Sequence, residues 1–282
     1  MRALAERVMM GPRHAIVLTV ALNAIPPVQF LGIALIALVV LRQGAQGGLM
    51  VAGWNLLPLG LWSMFLAGPP ISIQLLVIMI IGALVLRETS SWRFITVVAI
   101  IHGIVLTIII DLFAAEWFRQ ITEPAVLFQE RLAPEGVTRR QLYVSTLAWI
   151  GAFHALMFIG LMMLARWWQS TLYNPLAFGR EMRGLRLSPI FVLGLIVAAL
   201  LCVLVGSPET IVILFVPLLV SGLALIHWLV ADRELGAGPL VAMYLVLLVV
   251  NQVMIPLVLL LSLADSSFDL RKKLAAEHND DT

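Results

Sequence analysis

Arg166–Leu187 reads RWWQSTLYNPLAFGREMRGLRL and divides the apolar part of the chain into two blocks. Arg166, Trp167 and Trp168 close a long apolar run, as a helix does where it anchors at a membrane–water interface. Tyr173-Asn174-Pro175 then stops that helix. Proline cannot continue the hydrogen-bond ladder, and it pushes the preceding Asn out of the α region. Arg180, Arg183 and Arg186 follow at three-residue spacing and fall roughly on one side of a short helix. Arginines so placed suit phospholipid head groups or the acidic face of a membrane or cytoplasmic partner protein. They also act as a topology signal that keeps the loop inside.

The whole chain has the composition of a bilayer protein. It has 282 residues, 61% hydrophobic and 12% charged, against about half apolar and a quarter charged in soluble domains. The formal net charge is +2, and no nucleic-acid motif accompanies the arginines. The one cysteine, Cys202, lies inside an apolar run, where it packs.

Outward from the loop, the polar breaks set the span boundaries. Residues 1–13 (MRALAERVMMGPR) form a short amphipathic segment on the inner surface. Residues 14–41 are apolar, with Pro26-Pro27 near the middle. As one helix they would reach about 42 Å, longer than a hydrocarbon core of roughly 30 Å. They are either one long kinked span or two short spans in a hairpin. RQGAQGG (42–48) is a tight turn, and Gly44, Gly48 and Ala52 repeat at the spacing that lets helices approach closely. Further spans are expected over 49–66, 71–86, 94–113, 142–164, 188–205, 210–230 and 239–263. Residues 114–141 form an extramembrane interfacial segment with balanced charge, and 264–282 a polar C-terminal tail.

Lys and Arg in short loops orient the chain. Positive residues occupy the breaks at Arg42, Arg87/Arg93, Arg166–Arg186 and Arg233, whereas 67–70 and 206–209 carry none. The hairpin over 14–41 places all positive breaks in the cytoplasm, but sends Arg271-Lys272-Lys273 outside unless the last segment re-enters. The expected fold is all-α: one multi-pass domain of about eight or nine transmembrane helices in a bacterial inner membrane.

Polar residues inside the spans are the candidate solute site. Asn55, His102, His154 and Asn251 fall near the middle of different spans, and Asp111 lies nearer the outer end of its own. A side chain such as Asp111 costs about 2.5–3.5 kcal/mol at the centre of a bilayer. If the helices are neighbours, these residues line one polar pocket, with Asp111 pairing a cationic group. Otherwise each makes an interhelical hydrogen bond worth about 0.6 kcal/mol. His102, His154 and His227 lack ligand-spaced partners, so no metal site is expected. No Walker loop and no Gly-x-Ser-x-Gly elbow occurs, so neither an ATPase nor a hydrolase of those types is expected, and no cofactor.

The junctions LRQGAQGGL, ARWWQSTLYNPLAFGREMRGLRL and LADSSFDLRKKL, in that order, resemble the YybS-like family of bacterial membrane proteins over nearly the whole chain. More distantly, the chain is similar to the substrate-binding subunits of energy-coupling-factor vitamin importers. That likeness implies a helical bundle that binds a solute near the outer face and docks onto a coupling subunit with two ATPases. The Ala-x-x-x-Ala docking pattern of those subunits is missing: Ala15 is followed by Thr19 and Ala34 by Leu38. The expected function is a solute-binding or transport component. The alternative is a non-catalytic scaffold that docks partners through Arg180, Arg183 and Arg186.

Overall fold

The computed structural model describes residues 1–66, 68–134 and 136–280, the side chains of 277–280 excepted. Among these residues the chain is all-α, with no strand. Six helices are long and apolar enough to cross a membrane. The chain forms two compact units, Met1–Phe178 and Gly179–Thr282.

The first unit opens with α1 (Arg2–Met9) and α2 (Pro12–Asn23). Pro26-Pro27 sit in a 3-10 turn, after which α3 (Gln29–Phe65) begins and packs back on α2. Residues 14–41 are therefore two helical segments packed together rather than one continuous helix. The 37 residues of α3 are themselves two helices merged across Gly44, whose φ of 81° lies in the left-handed region that favours glycine. Beyond that bend Gly48 sits against Val40: a Cβ there would fall 2.2 Å from the Val40 side chain. In a straight helix these two residues would be about 12 Å apart along the axis, so the chain doubles back here.

The first half of α3 is the core of the unit. Every residue from Ile33 to Leu41 is buried. A helix that is apolar on all sides must be surrounded; α2, the second half of α3, α4 (Ile71–Thr89) and α7 (Arg139–Tyr173) do this. α5 (Trp92–Phe113) packs on α4 and α7. α6 (Ala115–Leu132) occupies the expected extramembrane segment and buries Phe118, Thr122 and Val126. A capping box starts α7: Gln141 N donates to Thr138 Oγ1 at 3.3 Å, and Thr138 N to Gln141 Oε1 at 2.8 Å. α7 ends at Tyr173, before Asn174-Pro175, and runs through Arg166-Trp167-Trp168 without a break. α8 (Ala177–Arg183) follows.

The second unit contains α9 (Pro189–Leu204), α10 (Ile211–Leu214), α11 (Val216–Asp232), α12 (Gly238–Val249), α13 (Asn251–Phe268) and α14 (Leu270–Asp280). α11 and α13 pack closely at Gly222, where a Cβ would lie 2.3 Å from the Val258 carbonyl oxygen. The single span expected over 239–263 is instead two helices, broken at Val250.

Candidate functional site

The five candidate solute residues occupy four places. Asn55, on the second half of α3, is fully buried against α2. Its Nδ2 donates to Thr19 Oγ1 (2.9 Å) and Val51 O (2.8 Å), and its Oδ1 accepts from Asn23 Nδ2 (2.7 Å). This triad is an interhelical tie that satisfies both ends of the Asn55 amide.

His102 and His154 come together between α5 and α7. Their ring centroids lie 6.0 Å apart, and the Phe158 ring is 5.9 Å from His102. Gln74 of α4 completes the group, its Nε2 lying 2.9 Å from His102 Nδ1. With the Gln74 amide donating, Nδ1 accepts and the His102 proton sits on Nε2. Three atoms here are buried and have no hydrogen-bond partner among the described residues: Gln74 Oε1, His102 Nε2 and His154 Nδ1. Together they offer an acceptor, a donor and a nitrogen able to be either.

Asp111 lies further along the same helix, near its C-terminal end. Nine residues separate it from His102, a rise of about 13 Å. It is exposed, accepts a hydrogen bond from Tyr143 OH at 3.2 Å, and lines a cavity of about 890 Å³ between α5, α6 and α7. Glu116, Arg119, Glu123, Arg139 and Arg140 also line this cavity. Between cavity and histidines an apolar layer closes the seam, formed by Leu106, Ile110, Phe118 and Leu147. Asn251 belongs to the second unit, where its exposed side chain opens α13.

The arginines of the 166–187 stretch have unequal roles. Arg180 is exposed. Arg186 is taken up inside the second unit: it pairs with Asp269 (2.9 Å) and donates to the carbonyls of Asp265 (3.0 Å) and Ser266 (3.2 Å). Asp265 is fully buried and receives Arg271 Nε at 3.0 Å. Arg271 also donates to the carbonyls of Arg183 and Leu185, and Ser266 Oγ to Leu187 O. Burial lowers the Arg271 pKa, while neighbouring Asp265 opposes that shift. Arg233, which follows α11, reaches the carbonyl of Leu274 at 3.3 Å. Residues 183–187, Arg233 and the 265–274 segment are thus tied together.

Sequence reasoning missed Gln74 as a partner of His102, and Tyr143 and Arg140 as neighbours of Asp111. Each acts across helices at separations that no periodicity encodes. Among the described residues no group of three or more His, Cys, Asp or Glu side chains is placed to hold a metal ion. No protein-family model matches the chain, and neither a curated protein nor a solved structure matches it.

Proposed function

We propose that the chain is a multi-pass inner-membrane component that binds or transports a small polar solute and has no ATPase of its own. His102, His154 and Gln74 form its intramembrane site, and the Asp111 cavity is the outer vestibule above it. One observation carries this reading: three buried polar atoms without protein partners gather on one seam of the bundle. Leaving such groups unpaired costs several kcal/mol in an apolar medium, so a polar occupant stabilises them. Ionisable side chains within a membrane face solute or ion paths by default. The layer from Leu106 to Leu147 makes this the form closed to the outside.

The topology belongs to the same proposal. In the first unit Arg87 donates to Leu41 O and Arg42 stacks over Tyr173, so three positive breaks meet at one end, the cytoplasmic one. Counting two passes for α3, and one for α2 taken together with the Pro26–Val28 turn that follows it, this unit makes six with α4, α5 and α7. In the second unit residues 183–187 and the 265–271 segment share a membrane side, so the crossings between them are even in number. Two full passes, α9 and α10 with α11, followed by α12 and α13 as a pair that enters and leaves on one side, satisfy this. α12 spans only about 18 Å, so it and α13 form a re-entrant pair that returns Arg271-Lys272-Lys273 to the cytoplasm. The affiliation with the YybS-like family, and a bacterial source, are parts of the proposal resting on the polar junctions. Docking of partners through the arginine stretch is the weaker reading, because Arg186 is committed within its own unit.

The test is purification of the full chain from native membranes in mild detergent, with mass spectrometry of retained small molecules. A solute recovered with the wild type and lost from His102→Ala/His154→Ala supports the site. Equal recovery from both, or none from either, removes it.

A further inference from the structure

The outer cavity has a charge pattern that selects its ligand. Its lining carries Asp111, Glu116 and Glu123 against Arg119, Arg139 and Arg140, so its formal charge balances. Four of these six neutralise one another. Arg139 pairs with Glu123, and Arg119 with Glu116 at 3.3 Å. Asp111 has only the neutral Tyr143 hydroxyl, and Arg140 has no hydrogen bond or ion pair among the described residues. The cavity therefore presents one anion without an ion-pair partner, beside a phenol hydroxyl, and one guanidinium without one. Arg140 and Tyr143 are three residues apart on α7, so both project from the same side of that helix.

A cation alone would leave Arg140 unmatched, and an anion alone would leave Asp111 unmatched. A molecule with both charges satisfies both. The Tyr143 ring already carries the Arg119 guanidinium, 5.5 Å from its centroid, so an ammonium group is suited by the Asp111 carboxylate and the Tyr143 hydroxyl oxygen, both acceptors. A guanidinium with free donors suits phosphate, which it can bind in bidentate fashion. α6 borders the cavity and exposes Ile121, Phe128 and Leu132, the apolar side chains of an interfacial helix. That sets the cavity at the level of lipid head groups.

We propose that the cavity between α5, α6 and α7 binds a zwitterion of the phosphoethanolamine kind, its ammonium on Asp111 and Tyr143 and its phosphate on Arg140. This rests on the reading of the chain as a solute-binding component and names the chemistry admitted at its vestibule. The same group occurs free and as a phospholipid head group.

The test is calorimetry on the full chain in nanodiscs of phosphatidylglycerol, with three soluble probes: glycerophosphoethanolamine, ethanolamine and glycerol 3-phosphate. The zwitterion is expected to bind about tenfold more tightly than either half, the low end for charge-assisted bonds at an exposed site. Asp111→Asn and Arg140→Gln should each reduce it to the affinity of a half. Arg131→Gln, on α6 but outside the cavity lining, should leave it unchanged. Adding phosphatidylethanolamine to the discs distinguishes the sources: competition with the probe supports a lipid head group, and its absence supports the free one. Equal affinity for zwitterion and halves, or undiminished binding by both variants, overturns the proposal. If these fail while retention of a native solute still depends on His102 and His154, the vestibule chemistry falls and the solute-binding reading stands. Failure of both removes the two together.

Discussion

Asp265→Ala is expected to release the C-terminal segment from the second unit. The Asp265 side chain is 1% exposed and that of Arg271 11% exposed, with 3.0 Å between Nε and Oδ2. Removing one partner of a buried pair costs about 3–5 kcal/mol, because the other charge is left without compensation. Arg271 keeps two carbonyl acceptors, at Arg183 and Leu185, so the low end applies here. About 3 kcal/mol corresponds to roughly a hundredfold change in an equilibrium. The assay is reversible unfolding of the full chain in mixed micelles, alongside limited proteolysis after Phe268. Asp265→Ala/Arg271→Ala should be less destabilised than the sum of the single variants, since the double variant leaves no buried charge behind. A single variant within about 0.5 kcal/mol of wild type, or strict additivity in the cycle, would refute this account of the clamp.

Three further outcomes are expected. In a Cys202→Ser background, Lys272→Cys should react with an impermeant thiol reagent only from the cytoplasmic side and Glu209→Cys only from the outer side; outer labelling of residue 272 would sink the re-entrant pair. Gly222→Ala should destabilise by about 1–3 kcal/mol, since its methyl group meets the Val258 backbone at 2.3 Å, whereas Gly194→Ala, in open space, should be close to neutral in the same unfolding assay. Asn55→Ala removes the acceptor of the buried Asn23 Nδ2, while Thr19 Oγ1 keeps its bond to Ala15 O, and should cost about 1–2 kcal/mol; an unchanged midpoint would mean that the triad contributes nothing.

Backbone chemistry made the breaks of the first unit legible. Pro26-Pro27 ends α2, Gly44 takes the positive φ at which α3 turns back, and Asn174-Pro175 ends α7. Each is local: a missing N–H, a conformation that glycine tolerates, a ring that excludes the α region. The division of 239–263 was not legible, because Asn251-Gln252 read as polar residues inside one span rather than as a break between two helices. Pro256 stays inside α13, and the break lies six residues before it, at Val250. The clamp was hidden for another reason: Arg186 and Asp265 are 79 residues apart, and periodicity carries no information about such pairs. The polar mid-span residues were visible one by one, but their neighbours were not. Asn55 faces α2, His102 faces α4 and α7, and Asp111 faces the outer cavity, so the single pocket expected of them is three separate places in the first unit.

The most direct test of the central claim is a high-resolution experimental map of the full chain in nanodiscs, inspected at Gln74, His102 and His154. Density for a bound solute or ordered water is expected within hydrogen-bond distance of His102 Nε2 and His154 Nδ1. Side chains turned to satisfy one another, with apolar packing filling the space between them, would contradict it and leave these histidines as helix–helix ties.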